Sequence, residues 1–69
     1  ENEFLLDELN LAIERLPKTY KTSIILRDIQ GLSYEQISNI LGVPLGTIKS
    51  RINRARLQLQ VDLKKFKKE

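Results

Sequence analysis

The 69-residue chain has no cysteine and no histidine, only three glycines and two prolines, and 6% aromatic residues. Without cysteine there is neither a disulfide framework nor a thiolate metal site, and without histidine the commonest metal ligand and general base is missing. The carboxylates are scattered, with no His or Cys to assist them, so an enzyme is the least favoured function class. No apolar run approaches the roughly 20 residues that span a bilayer, and the opening Glu-Asn-Glu lacks the basic start of a signal peptide. The expectation is a soluble, intracellular chain with no catalytic residues, cofactor or metal. A single domain of this length buries only about 60% of its unfolded surface, which favours short packed elements and no roomy pocket. The chain begins without methionine and ends inside a charge run, as a piece cut from something longer would.

What is present is an uneven charge. Residues 1–48 hold four basic groups (Arg15, Lys18, Lys21, Arg27) against seven acidic, a net −3; residues 49–69 hold eight basic against two acidic, a net +6. A basic final third on a neutral-to-acidic body is an electrostatic footprint for a polyanion, and nucleic acid is the usual one. The 64–68 lysine run reads as a solvated end that adds at most nonspecific attraction.

Apolar spacing predicts four helices and no strand. Leu5, Leu9, Ala12, Ile13 and Leu16 recur at three- and four-residue steps, placing a first helix over 4–15. Pro17 suits the first turn of a second helix running through Tyr20, Ile24, Ile25 and Ile29 until Gly31 stops it. Ser33 and Gln36 form a capping box, and Leu32 and Ile37 stand at the spacing of a hydrophobic staple, which predicts a third helix over 34–41. Gly42 ends it, Pro44 holds Val43 extended, and a fourth helix opens at 44 or 45. Two helices joined by a short glycine turn form a helix-turn-helix over about 33–60, with Ile37, Leu41, Val43 and Ile48 filling the angle and Ser38 small at the close approach.

The fourth helix carries the functional signal. At about 100° per residue from Leu45, the residues Ile48, Ile52, Ala55 and Leu59 fall between about 280° and about 340° and form the buried stripe. The opposite direction, at about 140° on the same wheel, belongs to Ser50, with Gly46 and Asn53 on one side and Arg54 and Thr47 on the other. Lys49, Arg51 and Arg56 flank the stripe. The centre of the outer face is thus short and polar, framed by cations, as a helix reading base edges in the major groove requires. Gly46 clears the backbone's approach, and the helix N-terminus offers free N–H groups to a phosphate, with the Thr47 hydroxyl beside them. Beyond Arg56, Leu57 and Val61 lie at about 120° and about 160°, a second apolar face expected to dock helix one, a sister chain or a protein regulator.

Residues 16–56, LPKTYKTSIILRDIQGLSYEQISNILGVPLGTIKSRINRAR, resemble region 4 of the extracytoplasmic-function group of sigma-70-class sigma factors. The resemblance rests on Leu16-Pro17 with Arg27, on Gly31 to Ile37, and most specifically on Gly42 to Arg51. It implies an all-α four-helix domain of the winged-helix-like DNA-binding class that binds the minus-35 promoter element as double-stranded DNA. It also implies base contacts from Lys49, Ser50, Asn53 and Arg54, and phosphate contacts from Arg27, Tyr34, Gly46, Thr47, Arg51 and Arg56. Asn53 matches a variable family position, expected to set promoter preference; asparagine favours adenine when its amide reaches N6 and N7. The implied partners are core RNA polymerase, through its β-flap, and an anti-sigma factor. The implied location is cytoplasmic, with no small-molecule substrate, no membrane insertion, and the minus-10 module preceding residue 1.

Several readings stay open at this point. Tyr34 either packs its ring or meets a phosphate, Arg27 either meets DNA or pairs with Asp28 or Glu14, and Glu35 either orients a basic side chain of the fourth helix or favours its own helix start. A dimeric regulator's helix-turn-helix is the second reading of the whole, and it needs a two-fold interface and paired half-sites. A basic helical module for acidic partners or a membrane surface is the third.

Overall fold

A computed structural model describes residues 2–67, with side chains described for 7–64. Four α-helices follow in order: α1 (Asn2–Glu14), α2 (Lys18–Ile24), α3 (Tyr34–Leu41) and α4 (Leu45–Lys67), and α2 runs on into a π-helical segment, Ile25–Ile29. The side chains of Leu5 and of the terminal run beyond Lys64 lie outside the described residues.

Local chemistry accounts for each boundary. The Ser33 hydroxyl accepts from the Gln36 N–H at 3.0 Å while the Gln36 side chain accepts from the Ser33 N–H at 2.8 Å, closing the capping box that starts α3. Gly42 ends α3 at φ 69°, where its N–H and that of Val43 both reach the Ser38 carbonyl. That left-handed turn suits glycine because a Cβ would crowd the following carbonyl. The Ser38 hydroxyl donates to the Val43 carbonyl, so the small residue expected at the helix approach also ties down the turn. Pro44 then caps α4, its carbonyl accepting from Thr47 and Ile48.

The second helix departs from expectation. Its turns widen after Ile24, with the Gln30 N–H bonding to the Ile25 carbonyl and the Leu32 N–H to that of Leu26. Gly31, at φ 75°, stops it as expected. Ile29, through which the second helix is expected to run with Ile24 and Ile25, is 63% exposed, because no described element covers the last turn of the segment.

The core forms around α4, which α1, α2 and α3 all contact. Ile48, Ile52 and Ala55 are fully buried, joined by Ile13, Leu16, Ile24 and Ile37. Leu9, Tyr20, Ile25, Leu32, Leu41, Val43 and Leu59 pack against that cluster from its edges. Ser23 is buried among them and satisfies its hydroxyl on the Thr19 carbonyl, the back-bond that makes a polar side chain tolerable inside a helix. Holding this stripe down orients everything else on α4.

Candidate nucleic-acid interface

With Ile48, Ile52 and Ala55 buried, the outer arc of α4 is settled. Gly46, Lys49, Ser50, Asn53 and Arg54 are exposed, and Thr47 and Arg51 are half-buried at its margin. The Thr47 and Ile48 amides are taken by Pro44, which leaves the first N–H groups of α4, at Leu45 and Gly46, without an intrahelical partner. A Cβ added to Gly46 meets nothing within 4 Å, so the chain's own packing does not demand glycine there.

The two margins of the arc are built differently. On the first, Gly46, Thr47, Ser50, Arg51 and Arg54 line an open hollow of about 440 Å³ whose far wall is Tyr20 of α2. Lys49 and Asn53 stand outside it, on the other half of the arc. Tyr20 also walls a second hollow, continuing along α4 with Arg54, Leu57, Gln58 and Val61. Leu57 and Val61 are 61% and 50% exposed, so no described helix covers them and α1 does not fold back over that face.

On the second margin, three residues expected at phosphates come together. The Arg27 guanidinium lies 4.8 Å from the centroid of the Tyr34 ring and donates to the Leu32 carbonyl at 2.9 Å. Arg56 donates to Asp28 through two bonds, Nη2 to Oδ1 at 2.7 Å and Nε to Oδ2 at 3.2 Å. Hydrogen bonding to Asp28 raises the Arg56 pKa against a desolvation cost, and the nearby Tyr34 hydroxyl acts in the same upward direction. Since both partners' side chains are 43% exposed, the pair contributes about 0.2–1 kcal/mol. Arg27 therefore pairs with neither Asp28 nor Glu14: Asp28 goes to Arg56, and Glu14 to Lys21 at 3.0 Å. The π register belongs to this arrangement. More residues per turn means a smaller rotation between neighbours, and consecutive Arg27 and Asp28 both reach the Tyr34–Arg56 corner.

Sequence reasoning misses Tyr20 and Asp28 as members of the site. Periodicity assigns Tyr20 to the core, and its polar end is the available signal, since a tyrosine can pack its ring and still present its hydroxyl at a surface. Nothing local marks Asp28, whose partner Arg56 is far along the chain. Among the described residues no cluster of acidic side chains could hold a metal ion, and no helix is long and apolar enough to cross a membrane.

A helical core presenting the second helix of a helix-turn-helix, polar at its centre and cationic at its margins, defines the class: a helix-turn-helix protein. The chain belongs to the family described as "Sigma-70, region 4", which matches residues 6–59, and within it to the extracytoplasmic-function group. It is 47% identical over 62 residues to the ECF RNA polymerase sigma factor SigE of Mycolicibacterium smegmatis, covering 90% of this chain and 24% of that protein. It is also 47% identical over 64 residues to the ECF RNA polymerase sigma-E factor of Haemophilus influenzae, covering 87% and 34%. The corresponding factor of Escherichia coli K12 is 47% identical over 60 residues, covering 81% and 31%. The chain thus spans about a quarter to a third of the length of the curated relatives it matches.

Proposed function

We propose that residues 1–69 form one module, with its helix-turn-helix over about 33–60, that reads the minus-35 promoter element as double-stranded DNA within a longer sigma factor. It performs no catalysis and acts in the cytoplasm by placing core RNA polymerase at a promoter. One observation carries this reading: the exposed arc of α4 sets Ser50, Asn53 and Arg54 opposite a fully buried stripe, with cationic clusters on both margins. The centre of such an arc reaches base edges, and its margins meet the phosphate walls of the groove. In this reading Lys49, Ser50, Asn53 and Arg54 contact bases. Gly46, Thr47 and Arg51 hold one backbone, and Arg27, Tyr34 and Arg56 hold the other.

The test is selection of bound duplexes from a randomised pool, followed by titration of the best site against a scrambled duplex, with chemical-shift mapping of the complex. A single preferred site that shifts Ser50, Asn53 and Arg54 supports the reading. Equal affinity for every duplex, or shifts confined to another surface, sinks it.

The hollow at Leu57 and Val61 serves protein partners in this proposal, either the β-flap of core polymerase or an anti-sigma factor. Its support is apolar area left uncovered beside the reading face. Replacing both residues with serine should abolish partner binding while leaving the preferred duplex bound. Unchanged partner binding would show that the face is idle.

A further inference from the structure

The two margins of α4 are not equally free to meet a phosphate. Arg51 lines its hollow and has no carboxylate partner among the described residues, whereas Arg56 gives its Nε–Nη2 edge to Asp28. That edge is one of the two a guanidinium can offer to a phosphate through a pair of parallel bonds. We propose that Asp28 is a built-in competitor for the phosphate seat formed by Arg27, Tyr34 and Arg56, lowering the domain's attraction for any DNA backbone. The inference rests on the promoter-reading proposal above and adds to it the residue that moderates sequence-independent binding.

Three features of the corner support competition. Arg27 is satisfied by the neutral Leu32 carbonyl, so its charge remains available, and Asp28 is the carboxylate that offsets charge at this seat. Both members of the Asp28–Arg56 pair are 43% exposed, so a phosphate can displace the carboxylate without opening the core. The buried stripe of α4 faces away, and breaking the pair strands no charge in an apolar interior. A phosphate can take the Nε–Nη2 edge only by breaking the Asp28 pair, and that cost lowers affinity for every sequence equally. Base contacts from Ser50, Asn53 and Arg54 lie elsewhere on the arc and keep their discrimination.

The experiment titrates this domain with the selected duplex and a scrambled one of equal length at several salt concentrations, centred on 0.15 M where the Debye length is about 8 Å. Asp28→Asn should tighten both duplexes by about 1.4- to fivefold, the equivalent of an exposed pair. It should also steepen the log–log salt slope by up to about 0.9. Glu14→Gln removes the other carboxylate paired with a cation among the described residues and controls for net charge; it should change affinity far less. In an Arg56→Ala background, Asp28→Asn should give no gain. Thermal melts check folding, and Asp28→Ser replaces the amide if it fails to fold. Weaker binding by Asp28→Asn would make Asp28 a positioner of Arg56 and overturn the proposal, as would a gain that survives loss of Arg56. If wild type discriminates the two duplexes and Asp28→Asn does not tighten them, only the competitor falls; if wild type does not discriminate, the promoter reading itself falls.

Discussion

Gly46 separates what the fold needs from what a ligand needs. It sits in the first turn of α4 beside open space, so alanine there should leave the melting temperature unchanged or raise it, helix propensity favouring Ala by up to about 1 kcal/mol. On the proposed reading the added methyl should still weaken duplex binding, because it would stand where a phosphate approaches the backbone. Lower thermal stability with unchanged affinity would reverse that assignment. The arginines divide in the same spirit. Arg54→Ala should cost about 1–3 kcal/mol on the preferred duplex and relax base preference if the side chain makes a bidentate contact. Arg51→Ala should weaken preferred and scrambled duplexes alike, and Arg56→Ala should do so by less, since part of its charge is already spent on Asp28. Equal losses on both duplexes for Arg54 and Arg51 would erase the distinction between reading and anchoring.

Helix α3 is legible in the sequence to the residue, and the second helix only in outline. The difference lies in where the deciding interactions are. The start and stop of α3 are written within a few residues: Ser33 with Gln36, then Gly42 at positive φ. Ser33→Ala should therefore destabilise the domain by about 1 kcal/mol in a thermal or urea melt. It should also free the Gln36 amide, which donates to the Ser33 hydroxyl, and faster exchange of that amide would show it. The widened turns of Ile25–Ile29 have no such local signature. A run of Ile, Ile and Leu satisfies an α-helix equally well, and the π register is seen in the segment that meets α3 and reaches Arg56 of α4. The exposure of Ile29 escapes sequence reasoning for the same cause: periodicity names a face but not how far the neighbouring helices extend to cover it.

The molecule as a whole is a long helix with three short ones packed around its first half. At 23 residues α4 is about 34 Å long, which accounts for most of the 40 Å greatest extent. A core this small leaves little reserve. Total stability for a chain of this length is roughly 3–10 kcal/mol, and Ile52→Ala, emptying a fully buried site, should cost about 2–5 kcal/mol. A measurable unfolded fraction at physiological temperature is the expected result, and a wild-type melting curve would contradict the assigned centre of the core. The charge division between the acidic body and the basic final third should make association with DNA salt-dependent. If Arg27, Arg51 and Arg56 each neutralise a phosphate, affinity should fall roughly 40-fold between about 50 and 200 mM salt. A flat response would remove the phosphate walls from the reading.

The amino-acid sequence alone determined the four helices, the two glycine stops, the glycine turn and the buried stripe of α4. Caps, positive-φ positions and helical periodicity act over a few residues and need no partner. Only the tertiary structure decided that Tyr20 walls the outer arc of α4, that Arg27 lies on Tyr34, and that Asp28 holds Arg56. Long charged side chains have several partners of similar energy within reach of the sequence. The choice among them is made by which segments the buried core brings together.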